Sequence, residues 1–291
     1  MRVILVAAAI FVLSTPVLAT TFAPVDKICP VGGEKFSSLE MMSTTTWGQL
    51  PDGMPLGVGP NPAPLPQCPG NGLVIYKEFD EASIPKLSAF VMSDAYQAQR
   101  ADSTPRYLAY LTATELGDEE SRPWLLLGAT WEAKNGHMDA LATRYMNELV
   151  KLVELKPLEP TKLESIAIKA RAANTLRELG RFEAAESLRA SIKIADDAGG
   201  NEPDSKDNRE GWAYYISSLA APIARGDSSR DPIDMIGNRL AAERCFSAER
   251  KVVVGDPPSR RLNEFEAPFC QRAEIQRELT TIRKWRAQST E

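Results

Sequence analysis

The chain has 291 residues, a formal net charge of −5 and a hydrophobic fraction of 43%. That fraction supports a buried core and excludes a disordered polymer. The negative balance argues against a general nucleic-acid or anionic-membrane binder.

Residues 1–19 read as a signal peptide. Arg2 supplies a short positive start, residues 3–13 an apolar run, and Val17-Leu18-Ala19 a small-residue ending that signal peptidase accepts. The run is too short to span a bilayer comfortably; an uncleaved anchor is the alternative. The expectation is an exported chain, periplasmic or secreted, with no stable membrane insertion after cleavage. Roughly 270 residues would remain, enough for one large domain or two modest ones.

Residues 20–82 form a loop-rich module. Pro51, Pro55, Pro60, Pro62, Pro64, Pro66 and Pro69 make helix unfavourable there. Short strands are predicted at residues 34–36 and 73–79, where Val74, Tyr76 and Phe79 favour β structure.

Residues 83–195 carry helical spacing. Leu87, Phe90, Val91 and Ala95 recur at that period, as do Leu108, Leu111 and Leu116 ahead of Gly117-Asp118. Ser121 and Pro123 open a helix over 124–133, closed by Asn135-Gly136. Further helices are predicted at 138–155, 164–179 and 182–194, the first of these stopped by Pro157 and Pro160. Residues 196–210 are polar and Gly-rich and read as a linker. Residues 211–291 form a last helical region, with helices over 212–223, 233–251 and 271–285. Its basic residues Arg272, Arg277, Arg283, Lys284 and Arg286 alternate with Glu274 and Glu278, which suits a solvated helix face.

The stretch Ala170-Arg171-Ala172-Ala173-Asn174-Thr175-Leu176-Arg177-Glu178-Leu179-Gly180-Arg181-Phe182-Glu183-Ala184-Ala185 resembles one tetratricopeptide hairpin. Ala173 and Ala185 allow close approach, Gly180 permits the turn and Phe182 plugs its end. One such unit cannot bury its own face, so neighbours must stack on it. The fold class is therefore mainly α, stacked α-hairpins behind a small loop-rich β module. An ordinary helix pair in an irregular α domain is the alternative.

Cys29-Pro30-Val31-Gly32-Gly33-Glu34-Lys35-Phe36 and Cys68-Pro69-Gly70-Asn71-Gly72 look like two zinc-ribbon knuckles that lack their second cysteine. With Gly128-Ala129-Thr130-Trp131 and the tetratricopeptide-like hairpin, they resemble an uncharacterised bacterial family, number 2225 among the domains of unknown function. The resemblance covers roughly residues 27–194 and implies architecture rather than mechanism. Gly32 and Asn71 stand where that family's second ligands would be, so no metal and no cofactor is expected here; a structural zinc site wants four Cys or His ligands.

An even cysteine count in an exported chain suggests two disulfides, and sequence alone allows three pairings of Cys29, Cys68, Cys245 and Cys270. The resemblance selects one. A ribbon brings the first ligand of each knuckle together, which implies Cys29 with Cys68 and leaves Cys245 with Cys270. A site holding metal through all four cysteines is the alternative, without the CxxC spacing such sites use.

No catalytic set assembles. His137 is the sole histidine and follows a turn signal. Asp118-Glu119-Glu120 precedes a helix start, where acidic residues favour the helix dipole. Aromatic residues in the helices, with Tyr107, Tyr110, Trp131 and Tyr145 as the candidate set, could line a groove for a peptide or extended ligand. Core packing is the competing account of them, above all for Trp131. The functional expectation is a non-catalytic interaction or scaffold protein whose helical hairpins hold a peptide or an envelope protein. The alternative is an envelope hydrolase using a carboxylate pair in the helical groove.

Overall fold

The computed structural model describes residues 20–249 and 261–288. The signal peptide expected over residues 1–19 lies outside the described residues. Two hairpins open the chain. Strands β1 (Thr21–Ile28) and β2 (Lys35–Ser43) pair antiparallel, from Phe22↔Met41 to Ile28↔Lys35. Strands β3 (Thr46–Gln49) and β4 (Pro55–Gly57) form the second hairpin. The strand at 34–36 extends further than predicted. The strand at 73–79 does not form. Only the bridge Gln67↔Val74 closes there, because Leu73 and Val74 are withdrawn into the core beneath the first helices.

The two Cys-Pro turns are built alike. Gly33 N donates to Cys29 O and Cys29 N to Glu34 O; Gly72 N donates to Cys68 O and Cys68 N to Leu73 O. Gly33 and Gly72 both have positive φ, 67° and 78°, a conformation that glycine adopts without a Cβ clash. A disulfide joins Cys29 to Cys68.

From there on, the described residues form helices and no further strand. α1 (Ile84–Val91), α2 (Asp94–Asp102) and α3 (Pro105–Leu116) cover the module. Its Cys29, Val31, Cys68, Leu73 and Val74 share one core with Leu87, Val91, Tyr96 and Leu108. The small β module thus borrows its hydrophobic stabilisation from the helices, as a Pro-rich segment must. α4 (Ser121–Asn135), α5 (Asp139–Glu154), α6 (Leu163–Glu178) and α7 (Phe182–Ser191) then pack each on the next. α8 (Ser205–Ser218) lies on α6 and the short α9 (Ala220–Ala224) on α7. This is a mainly helical fold of stacked hairpins. Gly117 and Gly180 terminate α3 and follow α6 at φ 72°, as the sequence predicts.

α6 is the central element. Residues 166–177 are all buried. Ala167, Ala170, Ala172 and Ala173 carry little bulk, so α5, α7 and α8 can close on every side of it. The stretch read as a linker, 196–210, is tied to the turn before α6. Gly199 N donates to Thr161 O, Ala195 N to Pro160 O, and α8 begins inside it at Ser205. The last unit pairs α10 (Asn238–Glu249) with α12 (Ala273–Gln288), with the one-turn α11 (Glu266–Phe269) between them in sequence. Cys245–Cys270 staples it over a core of Ile233, Ala242, Phe269, Ile275 and Leu279. Both disulfides are buried and point to an oxidising compartment. Among the described residues no helix is long and apolar enough to cross a membrane.

Candidate functional site

The faces of α4, α6 and α8 that look toward the N-terminal module are occupied by the tip of the β3–β4 hairpin. The tip is Leu50-Pro51-Asp52-Gly53-Met54. Gly53 N donates to Leu50 O and Leu50 N to Met54 O, and Gly53 has φ 88°. This is a turn with Pro and Asp at its centre and a left-handed glycine, the combination that closes a three-residue hairpin loop.

Side chains of the helices satisfy the tip. Pro51 O accepts from Arg171 Nη1 at 2.6 Å and from the Tyr215 hydroxyl. Asp52 O accepts from Trp131 Nε1 at 3.2 Å. The Asp52 carboxylate accepts from Lys134 Nζ at 3.0 Å, from Arg230 Nε at 3.2 Å and from Met54 N at 3.0 Å. The Arg171 guanidinium lies over the Trp212 and Tyr215 rings, 5.0 and 4.5 Å from their centroids. Gly53 sits against it so closely that a Cβ would come within 2.7 Å of Arg171 Nε.

A second carboxylate shares this centre. Glu178 Oε2 accepts from Lys134 Nζ at 2.7 Å and Oε1 from Asn174 Nδ2 at 2.7 Å. Burial pushes the Glu178 carboxyl above the usual range, and the Asp52 charge adds to that, against Lys134. Burial also pushes Asp52 upward, but Lys134 and Arg230 outweigh it and hold Asp52 below the usual range. Arg177, fully buried, donates to Asn174 Oδ1 and to the carbonyls of Asp227 and Ser229, which fixes the loop that carries Arg230.

Beside the tip lies a cleft of about 740 Å³ between the β3–β4 hairpin and α3–α5. Trp47, Met54, Leu56, Pro60, Pro62 and Met138 give it an apolar lining. Trp47 is 52% exposed despite its size. The polar groups reaching it are mostly neutral: Ser103, Thr104 and Asn135. The Glu132 carboxylate at its wall is taken by Arg106, through Nη1 at 2.7 Å and the backbone N at 2.9 Å. Among the described residues, the buried Thr104 hydroxyl has no hydrogen-bond partner. Asn135 connects cleft and tip, accepting from Arg230 Nη1 at 2.9 Å and lying 3.2 Å from Met54 Sδ.

The aromatic set chosen from sequence divides. Tyr107, Tyr110 and Tyr145 are buried together between α3 and α5. The Tyr107 and Tyr145 rings stack at 4.2 Å, and the hydroxyls of Tyr107 and Tyr110 both donate to Glu148 at 2.9 Å. Burial, reinforced by the Glu148 charge, raises the pKa of both phenols. They are buried where α3 and α5 pack together. Of the four, only Trp131 reaches the tip. Trp47, Lys134, Arg171 and Arg230 were not singled out from the sequence; the Pro-Asp-Gly turn signal opposite them was the available pointer.

The cysteines pair as Cys29–Cys68 and Cys245–Cys270. Asn71 closes the first site, donating through Nδ2 to Val31 O at 2.8 Å and lying 3.4 Å from Cys29 Sγ. His137 is exposed in the α4–α5 turn at φ 54°. Asp118 Oδ1 accepts from Ser121 N at the start of α4, as an acidic helix entry should. Comparison with models of known protein families, with curated proteins and with solved structures finds no match for this chain.

Proposed function

We propose that this is an exported, non-catalytic interaction protein that receives apolar side chains of a peptide or protein partner in the cleft beside the β3–β4 hairpin. The observation that carries this reading is the lining of that cleft: Trp47, Met138 and a row of prolines, with neutral hydroxyl and amide groups between them. Its volume falls in the range of ordinary recognition pockets, about 300–1,000 Å³. Prolines leave few backbone N–H donors in the wall, so affinity would come from apolar contact.

The hydrolase alternative needs two accessible carboxylates. Asp52 and Glu178 are close, but Lys134 lies between them and neither lines the cleft. This supports a structural role for the pair over an acid–base role.

The test is site-specific photo-crosslinking in envelope extracts. A crosslinking residue at Trp47 should label one reproducible partner, while one at Leu155, which is more exposed and does not line the cleft, should not. Identical labelling from both positions would reject the cleft as the contact site.

A further inference from the structure

We propose that the groove between α4, α6 and α8 is a recognition site for an acidic β-turn, and that residues 50–54 of this same chain are its resident occupant. The site goes beyond the apolar cleft, and its ligand is of a different class: a turn with a central aspartate, of the form x-Pro-Asp-Gly-x, presented by another polypeptide.

Three observations carry the proposal. First, the tip is bound as a ligand is bound. Both of its central carbonyls and its carboxylate are satisfied by side chains from α4, α6, α8 and the Arg230 loop, and not by a sheet extending across the contact. Second, the hairpin is held by its tip. All four residues of β3 are exposed, whereas Pro51, Asp52 and Met54 are buried. Third, the receiving wall has charge to spare. Lys134, Arg171 and Arg230 face the tip, and Glu178 is the one acidic group shown against them, itself engaged by Lys134 and Asn174. A cationic wall with an indole N–H and a phenol hydroxyl aimed at carbonyls selects a turn that offers two carbonyls and one carboxylate. A Cβ at Gly53 would press on the Arg171 guanidinium, and the φ of 88° favours glycine by itself, so the groove suits a turn with glycine after the aspartate. Such a turn is encoded locally, so a partner can present it preformed and bind without a large ordering cost.

The experiment uses the full chain and a fluorescent cyclic peptide that holds residues 46–57 as a hairpin. Binding is followed by anisotropy for wild type, Gly53→Ala and Asp52→Ala. Both variants weaken the resident tip and should bind the peptide at least tenfold more tightly than wild type, whose groove is filled. Asp52→Asn within the peptide should weaken binding at least tenfold. Variants that keep their helical circular dichroism and bind no peptide would overturn the proposal, as would binding indifferent to the peptide's aspartate. Loss of helical structure in both variants would also overturn it, since the tip would then be core and not ligand.

Discussion

Asp52 at the tip of the β3–β4 hairpin and Lys134 near the end of α4 form a 3.0 Å ion pair across 82 positions of sequence. Lys134 turns the same ammonium to Glu178 at 2.7 Å. One cation thus joins the N-terminal module, α4 and α6. Removing one member of a buried pair leaves a charge uncompensated, which costs more than the pair contributes when whole. Asp52→Ala should lower stability by about 3 kcal/mol, read by urea denaturation. Asp52→Asn, which keeps the shape and an acceptor for Met54 N, should cost less. Equal values for the two would mean that the charge is not what matters.

The two carboxylates at this centre should respond to pH in opposite senses. Asp52 has a depressed folded pKa, so its contribution is present above its ordinary value and lost as pH falls through the folded one. Glu178 has a raised folded pKa, so its contribution is full below its ordinary value and is lost as pH rises through the folded one. Glu178→Gln resembles the protonated acid. Its stability relative to wild type should therefore rise as pH increases from about 4.5, the ordinary value for this carboxylate. Denaturation curves from pH 4 to 8 measure this, and a flat difference would place the charge of Glu178 outside the folding equilibrium.

Asp118 supplies an acid-side counterpart at the surface. Burial raises its pKa, but Lys77 at 2.5 Å and the Ser121 amide outweigh that and bring it to about 2. Its contribution is present above about 3.8 and is lost as pH falls toward 2. Asp118→Asn should flatten that part of the acid limb. The loss at pH 7 should be about 1 kcal/mol or less, because Lys77 is well exposed and solvent screens the pair.

The disulfides close loops of 39 and 25 residues of separation. Chain-entropy reasoning gives about 4 and about 3.5 kcal/mol respectively. The double variant Cys29→Ser/Cys68→Ser should lose the larger amount and expose the module to protease, since its core is shared with α1–α3. Cys245→Ser/Cys270→Ser should loosen α10 and α12 while leaving cleavage of the module unchanged. Non-reducing peptide mapping checks the pairing, and limited proteolysis checks where each loss is felt.

Gly128 in α4 tests how the cleft wall is held. A Cβ there would lie 2.5 Å from Arg106 Cδ, and Arg106 braces the wall through Glu132 and Ala63 O. Replacing a helical glycine by alanine gains about 1 kcal/mol in propensity. Displacing a packed arginine costs about 1–3 kcal/mol. The second effect should win, so Gly128→Ala should destabilise and alter the environment of Trp47 in fluorescence. A stabilised variant would show that Arg106 yields without cost.

Much of the helical frame was legible from local signals. Gly117, Gly136 and Gly180 mark helix ends, and Leu87, Leu108 and Leu176 fall on buried faces at helical spacing. β1 was not read as a strand because its paired residues, Pro24, Asp26 and Lys27 among them, carry little β propensity. The aromatic groove was misplaced for a related reason. Helical period shows which face of α3 carries Tyr107 and Tyr110 and which face of α5 carries Tyr145, but a buried face and a binding face have the same period.

By itself the sequence determined most of the helices, the stops at Gly117, Gly136 and Gly180 and the two Cys-Pro turns, all of which depend on interactions within a few residues. Only the tertiary structure decided that the Pro-Asp-Gly turn fills the groove of α4, α6 and α8, and that an apolar cleft remains beside it. Those outcomes rest on contacts such as Asp52 with Lys134 and Pro51 with Arg171, 82 and 120 positions apart. A hydrophobic or charged pattern states that a surface must be covered; which distant segment covers it depends on the packing of the whole chain.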